Sequence, residues 1–189
     1  MAGDGRSRDE RQARFERLYR QHGPDVHAYV VRRVGWERAD DIVADVFVVA
    51  WRRLEAVPDE AMPWLLGVAR KTIANRLRST RRQFALATRL AAQVPAVQME
   101  SSSSDAAVLA ALGSLRERDR EVLMLIAWEG LGGREASKVL GCSHAAFRVR
   151  LHRSRARFAK ALRAAEARAE LPRRGSVNPR LNHSLGEER

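Results

Sequence analysis

Residues 132–162 read GGREASKVLGCSHAAFRVRLHRSRARFAKAL. Leu140 closes a short helical pattern, and Gly141 suits the left-handed position that ends a helix. Ser143 follows two residues later with a hydroxyl able to cap the next helix. The stretch therefore predicts a helix over 133–140, a tight turn and a second helix over 143–169, which is a helix-turn-helix. On the second helix Phe147, Leu151, Phe158 and Leu162 fall at i, i+4, i+11 and i+15, with Ser154 at i+7, and form one buried stripe.

His144, Arg148, His152, Arg153 and Arg155 lie largely off that stripe. In a helix-turn-helix the N-terminal part of the second helix enters the major groove, where Arg can contact guanine with two hydrogen bonds. Arg148, Val149, His152 and Arg153 are the base-edge candidates, and Arg150, Arg155 and Arg157 are phosphate contacts or solvated cations. A glycine turn also occurs in three-helix bundles that bind no DNA, so the basic residues, not the turn, carry the reading. His144 and His152 are eight residues apart with no Cys or paired carboxylate near them, which does not make a metal site.

Outward from this motif, apolar residues recur mostly at three- and four-residue spacing, with no sustained alternation bounded by hairpin signals. The expected fold is all-α. A first block, 11–82, contains helical patterns over 11–34, 37–54 and 60–82; a second, 106–170, contains patterns over 106–113, 116–129, 133–140 and 143–169. Between them, 83–105 includes Pro95 and the run Ser101 to Ser104 and reads as a flexible linker, although 84–92 can prolong the preceding helix. Two small helical domains on a tether result. Residues 1–10 and 171–189 have few apolar side chains and are expected to be disordered.

The chain of 189 residues has 35 Lys and Arg against 23 Asp and Glu, a net charge of +12, and only Lys71, Lys138 and Lys160 are lysines. Such a balance points to a polyanionic partner, nucleic acid before an anionic membrane. The single Cys142 excludes an internal disulfide framework and a cysteine-based zinc site. The N-terminal MAGDGRSRDERQ has no apolar signal core, and no window approaches the ~18 apolar residues of a membrane span, so a cytoplasmic protein with no membrane insertion is expected.

The cations are unevenly placed. Trp64 to Arg82 holds Arg70, Lys71, Arg76, Arg78, Arg81 and Arg82 with no acid, and Ser143 to Glu170 holds eight basic residues against Glu166 and Glu170. Glu37, Asp40, Asp41 and Asp45 instead gather on one stretch, which suits a basic partner. In ERADDIVADVFVVAWRRL, the residues Ile42, Val43, Val46, Phe47, Ala50 and Trp51 form a broad apolar side to be buried. Asp41, Asp45, Val48 and Arg52, at i, i+4, i+7 and i+11, form a narrower outward stripe. Pro58 marks a loop, Pro63 fits a first helical turn, and Trp64, Leu65, Val68, Ile73 and Leu77 supply the apolar positions that follow. The opposite face presents Arg70, Lys71, Asn75, Arg76 and Arg78, cations with an Asn that suit a single strand, though without a stacking aromatic. Two other readings stay open on the residues alone: a helix-turn-helix regulator that binds duplex DNA unaided, and a small helical enzyme using Asp40, Asp41 and Asp45 with a divalent metal. The first leaves the N-terminal block without a purpose; the second lacks partner ligands and a phosphate-binding loop.

DDIVADVFVVAW, then PWLLGVARKTIANRLR, then a linker, then LGSLRERDREVLMLIAWEGLGGREASKVLGCSHAAFRVRLHRSRARF together resemble the two domains of the extracytoplasmic-function sigma factors of bacterial RNA polymerase, over 11–82 and 106–165. The resemblance implies a non-enzymatic initiation factor without cofactors. Its partners would be core RNA polymerase, promoter DNA and, as in many family members, an anti-sigma factor. It implies that Asp41, Asp45, Val48 and Arg52 dock on the basic polymerase clamp, and that Arg148, Val149, His152 and Arg153 read the minus-35 duplex. The loop from Glu55 to Met62, with Pro58 and Asp59, would receive a flipped minus-10 base beside Arg70, Lys71, Asn75 and Arg76. Extruding that base costs a few kcal/mol, which contacts in the loop must offset. The chain departs from the family pattern at Ala44, where Gln is usual, at Lys71 (Asn) and at Asn75 (often Asp). Gly132 also stands where a Ser or Thr cap is usual, and Ala136 and Ser137 stand where an Ile-Ala pair is common.

Overall fold

A computed structural model describes residues 3–87 and 103–170. Among these residues seven α-helices and two short 3₁₀ turns form two groups: α1 (Gly3–Val34), α2 (Ala39–Arg52) and α3 (Ala61–Ala87), then α4 (Ser103–Ser114), α5 (Glu117–Ala127), α6 (Gly133–Leu140) and α7 (His144–Glu170). The all-α architecture expected from the periodicity is the one observed. Helix α1 starts at Gly3, inside the stretch whose composition predicts disorder, and α3 runs on to Ala87, into the expected linker. The middle of that linker and the stretch 171–189 lie outside the described residues.

In the first group the buried faces follow helical spacing. Val26, Tyr29 and Val30 of α1 meet Ile42, Val43, Val46, Phe47 and Ala50 of α2 and Leu65, Leu66, Ala69 and Ile73 of α3. Phe15 and Tyr19 set their rings edge-on against Phe47, with centroids 6.2 and 4.7 Å away. Pro24 removes one backbone donor inside α1 without ending it, because the turn after it packs three fully buried side chains. Trp51 departs from the expected apolar side. It sits at the rim of the core, 38% exposed, edge-on to Phe15 and beneath the Arg11 guanidinium at 4.8 Å. It is the last apolar position before α2 ends at Arg52.

In the second group α4 and α5 pack on α7, and α6 crosses against it. Ala107, Ala111, Leu112 and Leu115 cover one side of α7, and Val122 and Leu125 meet Val139 and Phe147 at the centre. The two groups share one continuous apolar core, since α6 lies on α3. At that crossing a Cβ on Gly67 would stand 3.8 Å from the Val139 backbone, an ordinary contact distance, so Gly67 and Val139 mark where the two helices meet.

Candidate nucleic-acid interface

The turn between α6 and α7 is built as the residues dictate. Gly141 has φ +62° and ψ +42°, the left-handed conformation, and its N–H donates to the Lys138 carbonyl, while Cys142 donates to that of Ser137. The Ser143 hydroxyl accepts from the Ala146 N–H at 3.2 Å and caps α7. Gly132 has no side chain to cap α6, but the Glu135 carboxylate reaches back to accept the Gly132 N–H at 2.6 Å, half of a capping box. Phe147 and Ser154 are fully buried, and Leu151, Phe158 and Leu162 are partly buried, so the stripe faces inward as spaced. Ala145, Arg148, Val149, His152 and Arg153 consequently line one open outward face near the start of α7. Val149 is 52% exposed, an apolar side chain that α7 presents to solvent between two arginines.

Ser154, the polar member of the stripe, is held by a buried network. Its hydroxyl donates to Asp119 Oδ1 at 2.8 Å, and Arg157 Nη1 donates to both Asp119 oxygens at 2.7 and 2.8 Å. Burial alone would raise the pKa of Asp119; the hydrogen bonds from Ser154 and Arg157 outweigh it and hold the carboxyl below its ordinary value. Arg157 is thus tied to α5 while half its side chain stays exposed. Arg150 and Arg155 are exposed.

On the first group, the loop between α2 and α3 is fastened to α1. Arg11 donates to the Trp51 carbonyl, and Arg14 donates to Glu55 Oε2 and to the Val57 carbonyl, each at 3.0–3.1 Å. Val57 is buried, which leaves Pro58, Asp59 and Glu60 projecting. Pro63 is buried in the first turn of α3. Beyond it Lys71, Asn75 and Arg76 are exposed and Arg70 is partly buried; Asn75 Oδ1 accepts from Arg78 at 2.5 Å.

The acidic stripe of α2 also points outward. Asp41, Val48 and Arg52 are exposed and Asp45 is partly so. Sequence reasoning assigned Asp45 and Arg76 to different faces, yet the structure pairs them: Arg76 Nε and Nη2 donate to Asp45 Oδ2 at 2.9 and 2.5 Å. That contact reinforces the Arg76 charge. Asp40 Oδ1 accepts from His27 Nε2 at 3.1 Å, away from the Asp45–Arg76 pair, and among the described residues no three carboxylates or imidazoles gather to hold a metal.

A cluster that the sequence reading missed joins the groups. Arg33 Nε and Nη2 donate to Glu121, and Arg33 Nη1 donates to Glu129 at 3.0 Å. The Tyr29 hydroxyl donates to Glu121 at 3.0 Å, and Arg32 pairs with Glu129. The Arg33 guanidinium stacks 3.4 Å over the Tyr29 ring. Burial pushes the Tyr29 hydroxyl well above its usual pKa, with Arg33 opposing. For Arg33, burial works against the charge, and Tyr29, Glu121 and Glu129 together hold it. The available signal was an Arg pair at the end of an apolar run, HAYVVRRV.

Fold and faces together define an all-α helix-turn-helix protein with a cationic outward recognition helix and a second basic helix beside a fastened loop. Residues 18–83 match the family model described as Sigma-70 region 2, and residues 105–158 match that described as Sigma-70, region 4. The RNA polymerase sigma factors CnrH of Cupriavidus metallidurans and CarQ of Myxococcus xanthus are 32% and 30% identical; the alignments cover 80% and 78% of this chain and 87% and 88% of theirs. The ECF RNA polymerase sigma factor BldN of Streptomyces coelicolor is 28% identical over 74% of this chain. The chain spans 57% of BldN and 32% of the probable sigma factor RfaY of Xanthomonas campestris. Two solved structures share the fold. One is the sigma factor RpoE with the anti-sigma factor NepR from Bartonella quintana, with a TM-score of 0.65, 21% identity and coverage of 79% of this chain and 96% of that one. The other is CnrH with the cytosolic domain of CnrY, with a TM-score of 0.55, 28% identity and coverage of 79% and 88%. The chain belongs to the extracytoplasmic-function sigma factors of the sigma-70 family.

Proposed function

We propose that this protein is an alternative sigma factor, a non-catalytic subunit that acts in the cytoplasm, binds core RNA polymerase and directs promoter-specific initiation. The observation that carries this reading is the open face of α7, where Arg148, Val149, His152 and Arg153 stand together at the end of the helix that enters a major groove. Residues 106–170 would read the minus-35 element as duplex, with Arg150, Arg155 and Arg157 toward phosphates. Residues 11–82 would capture the melted minus-10 element, the projecting Pro58 and Asp59 bordering a flipped base and Arg70, Lys71, Asn75 and Arg76 following the strand. Residues 83–105 would connect the two. The α2 stripe of Asp41, Asp45, Val48 and Arg52 would dock on a basic polymerase surface. An anti-sigma factor is a further partner on this reading, as RpoE of Bartonella quintana has in its solved complex with NepR. It needs no metal or cofactor.

The test is binding of the purified chain to bacterial core RNA polymerase, with and without promoter DNA, at a stated salt concentration because basic proteins bind DNA nonspecifically at low salt. A stoichiometric complex that initiates from selected promoters is expected. Specific duplex binding without affinity for polymerase would overturn the reading in favour of a stand-alone regulator.

A further inference from the structure

The outward face of α7 carries an apolar group at its centre. Val149 is the most open of the large aliphatic side chains among the described residues. Helical spacing puts Ala145 four residues before it, and His152 and Arg153 three and four residues after it, so all three are its neighbours on the helix surface. The same three residues line the open face together with Arg148, and every one of them is exposed. Ala145 and Val149 therefore make a short apolar ridge, about 6 Å along the helix axis, with cations beside it and beyond its end.

A single exposed valine is ordinary on a protein surface. This one stands at the middle of the surface that the duplex would cover, and its chemistry restricts what can lie against it. An isopropyl group neither donates nor accepts a hydrogen bond. Set against a purely polar base edge, it would displace water from groups that it cannot satisfy, which opposes binding. In the major groove adenine, guanine and cytosine are recognised by their donors and acceptors, whereas thymine adds a C5-methyl group that projects into the groove. Against that methyl group, Val149 removes apolar surface from water on both sides of the contact, which favours binding. Arg148 and Arg153 cannot supply this selection, because a guanidinium is drawn to acceptors such as those of guanine.

We propose that Val149, with Ala145 beside it, reads the C5-methyl group of a thymine in the duplex element. The methyl group, and not the hydrogen-bonding edge of the base, is what this part of the face selects. The assignment rests on the reading of α7 as the helix that enters a major groove, and it adds the base class that the apolar centre of that face takes.

The experiment selects bound duplexes from a pool with a randomised window, using the chain alone and its complex with core polymerase. In the best-bound duplex each thymine of the enriched window is replaced in turn by deoxyuridine, which removes the methyl group and keeps every hydrogen-bonding atom. Fluorescence anisotropy at one salt concentration then compares the full chain with Val149→Ala. At one or two positions deoxyuridine should weaken binding about four-fold, the effect of one buried methyl group. Val149→Ala should bind thymine and deoxyuridine alike there. Alanine suits an exposed helical position, so the melting temperature of this variant should not fall. At the same position the full chain should prefer a 5-methylcytosine pair to a cytosine pair by a similar factor. Val149→Ile, which keeps the branched apolar surface, should keep the deoxyuridine effect.

An enriched window in which no thymine is sensitive to deoxyuridine overturns the methyl contact. Discrimination that persists in Val149→Ala, or is lost in Val149→Ile while the same window is still selected, overturns the role of Val149. Equal binding of the cytosine and 5-methylcytosine pairs overturns methyl selection and assigns the thymine preference to duplex shape. A pool that yields no enriched window with either form overturns duplex reading by α7 and the methyl contact with it. Failure to bind core polymerase instead overturns the family function, and the methyl contact is then decided by the chain alone.

Discussion

Arg148 and Gly141 show how much one position can decide. Arg148 stands on the outward face of α7 beside Ala145, Val149, His152 and Arg153, with no acid among them, so its two terminal nitrogens can reach a guanine edge. Arg148→Ala should cost about 1–3 kcal/mol at one upstream base position, measured as the loss of discrimination between matched and altered elements. Equal loss on both would assign Arg148 to phosphate. Gly141 has φ +62° with open space where a Cβ would point, so strain alone opposes a side chain there. Gly141→Ala should lower stability by about 1 kcal/mol in thermal unfolding, against Gly113→Ala within α4, which meets no neighbour and should stabilise. Both positions were legible as residues: Gly141 from the break in apolar periodicity, Arg148 from its place off the stripe. Trp51 was not, because spacing assigns a face but does not say how completely the neighbouring side chains cover it.

Between elements, the α5–α7 contact gives a pH dependence with a fixed sign. Asp119 titrates below its ordinary value in the folded chain because Ser154 and Arg157 hold the carboxylate. The folded state therefore binds that proton less readily than the unfolded chain. The stabilisation is present above the ordinary carboxylate range and lost as pH falls through the lowered value. Asp119→Asn should reduce stability at neutral pH and flatten the acid limb of a stability profile; an unchanged limb would remove Asp119 from acid unfolding. Ser154→Ala should cost about 1 kcal/mol, since it removes one buried hydrogen bond and leaves the carboxylate with Arg157. The helices themselves were readable nearly to their ends, because each buries a face at period 3.6. The Asp119 network was not, because Ser154 occupies a stripe position and its partner is 35 residues away. The Glu135 carboxylate satisfies the Gly132 N–H, while the N–H that a Ser or Thr at 132 would have accepted has no side-chain cap.

Over the whole molecule, charge is segregated by sign. A net +12 favours polyanionic partners, while Asp40 and Asp41 on α2 expose the opposite sign, which the proposed function directs at a basic surface. Asp41→Arg should lower core-polymerase affinity, read by co-elution or anisotropy, without changing the melting temperature; unchanged affinity would remove α2 from docking. What the sequence determined by itself was the helical class, the turn at Gly141, the segregation of cations and the outward faces of α2 and α7. These depend on local spacing and on the chemistry of single side chains. Only the tertiary structure decided that Asp45 meets Arg76, that α3 meets α6 at Gly67 and Val139 and that Arg33 finds Glu121 and Glu129. Those pairings join residues 31 to 96 positions apart, and a periodicity of three or four residues carries no information about partners at that range.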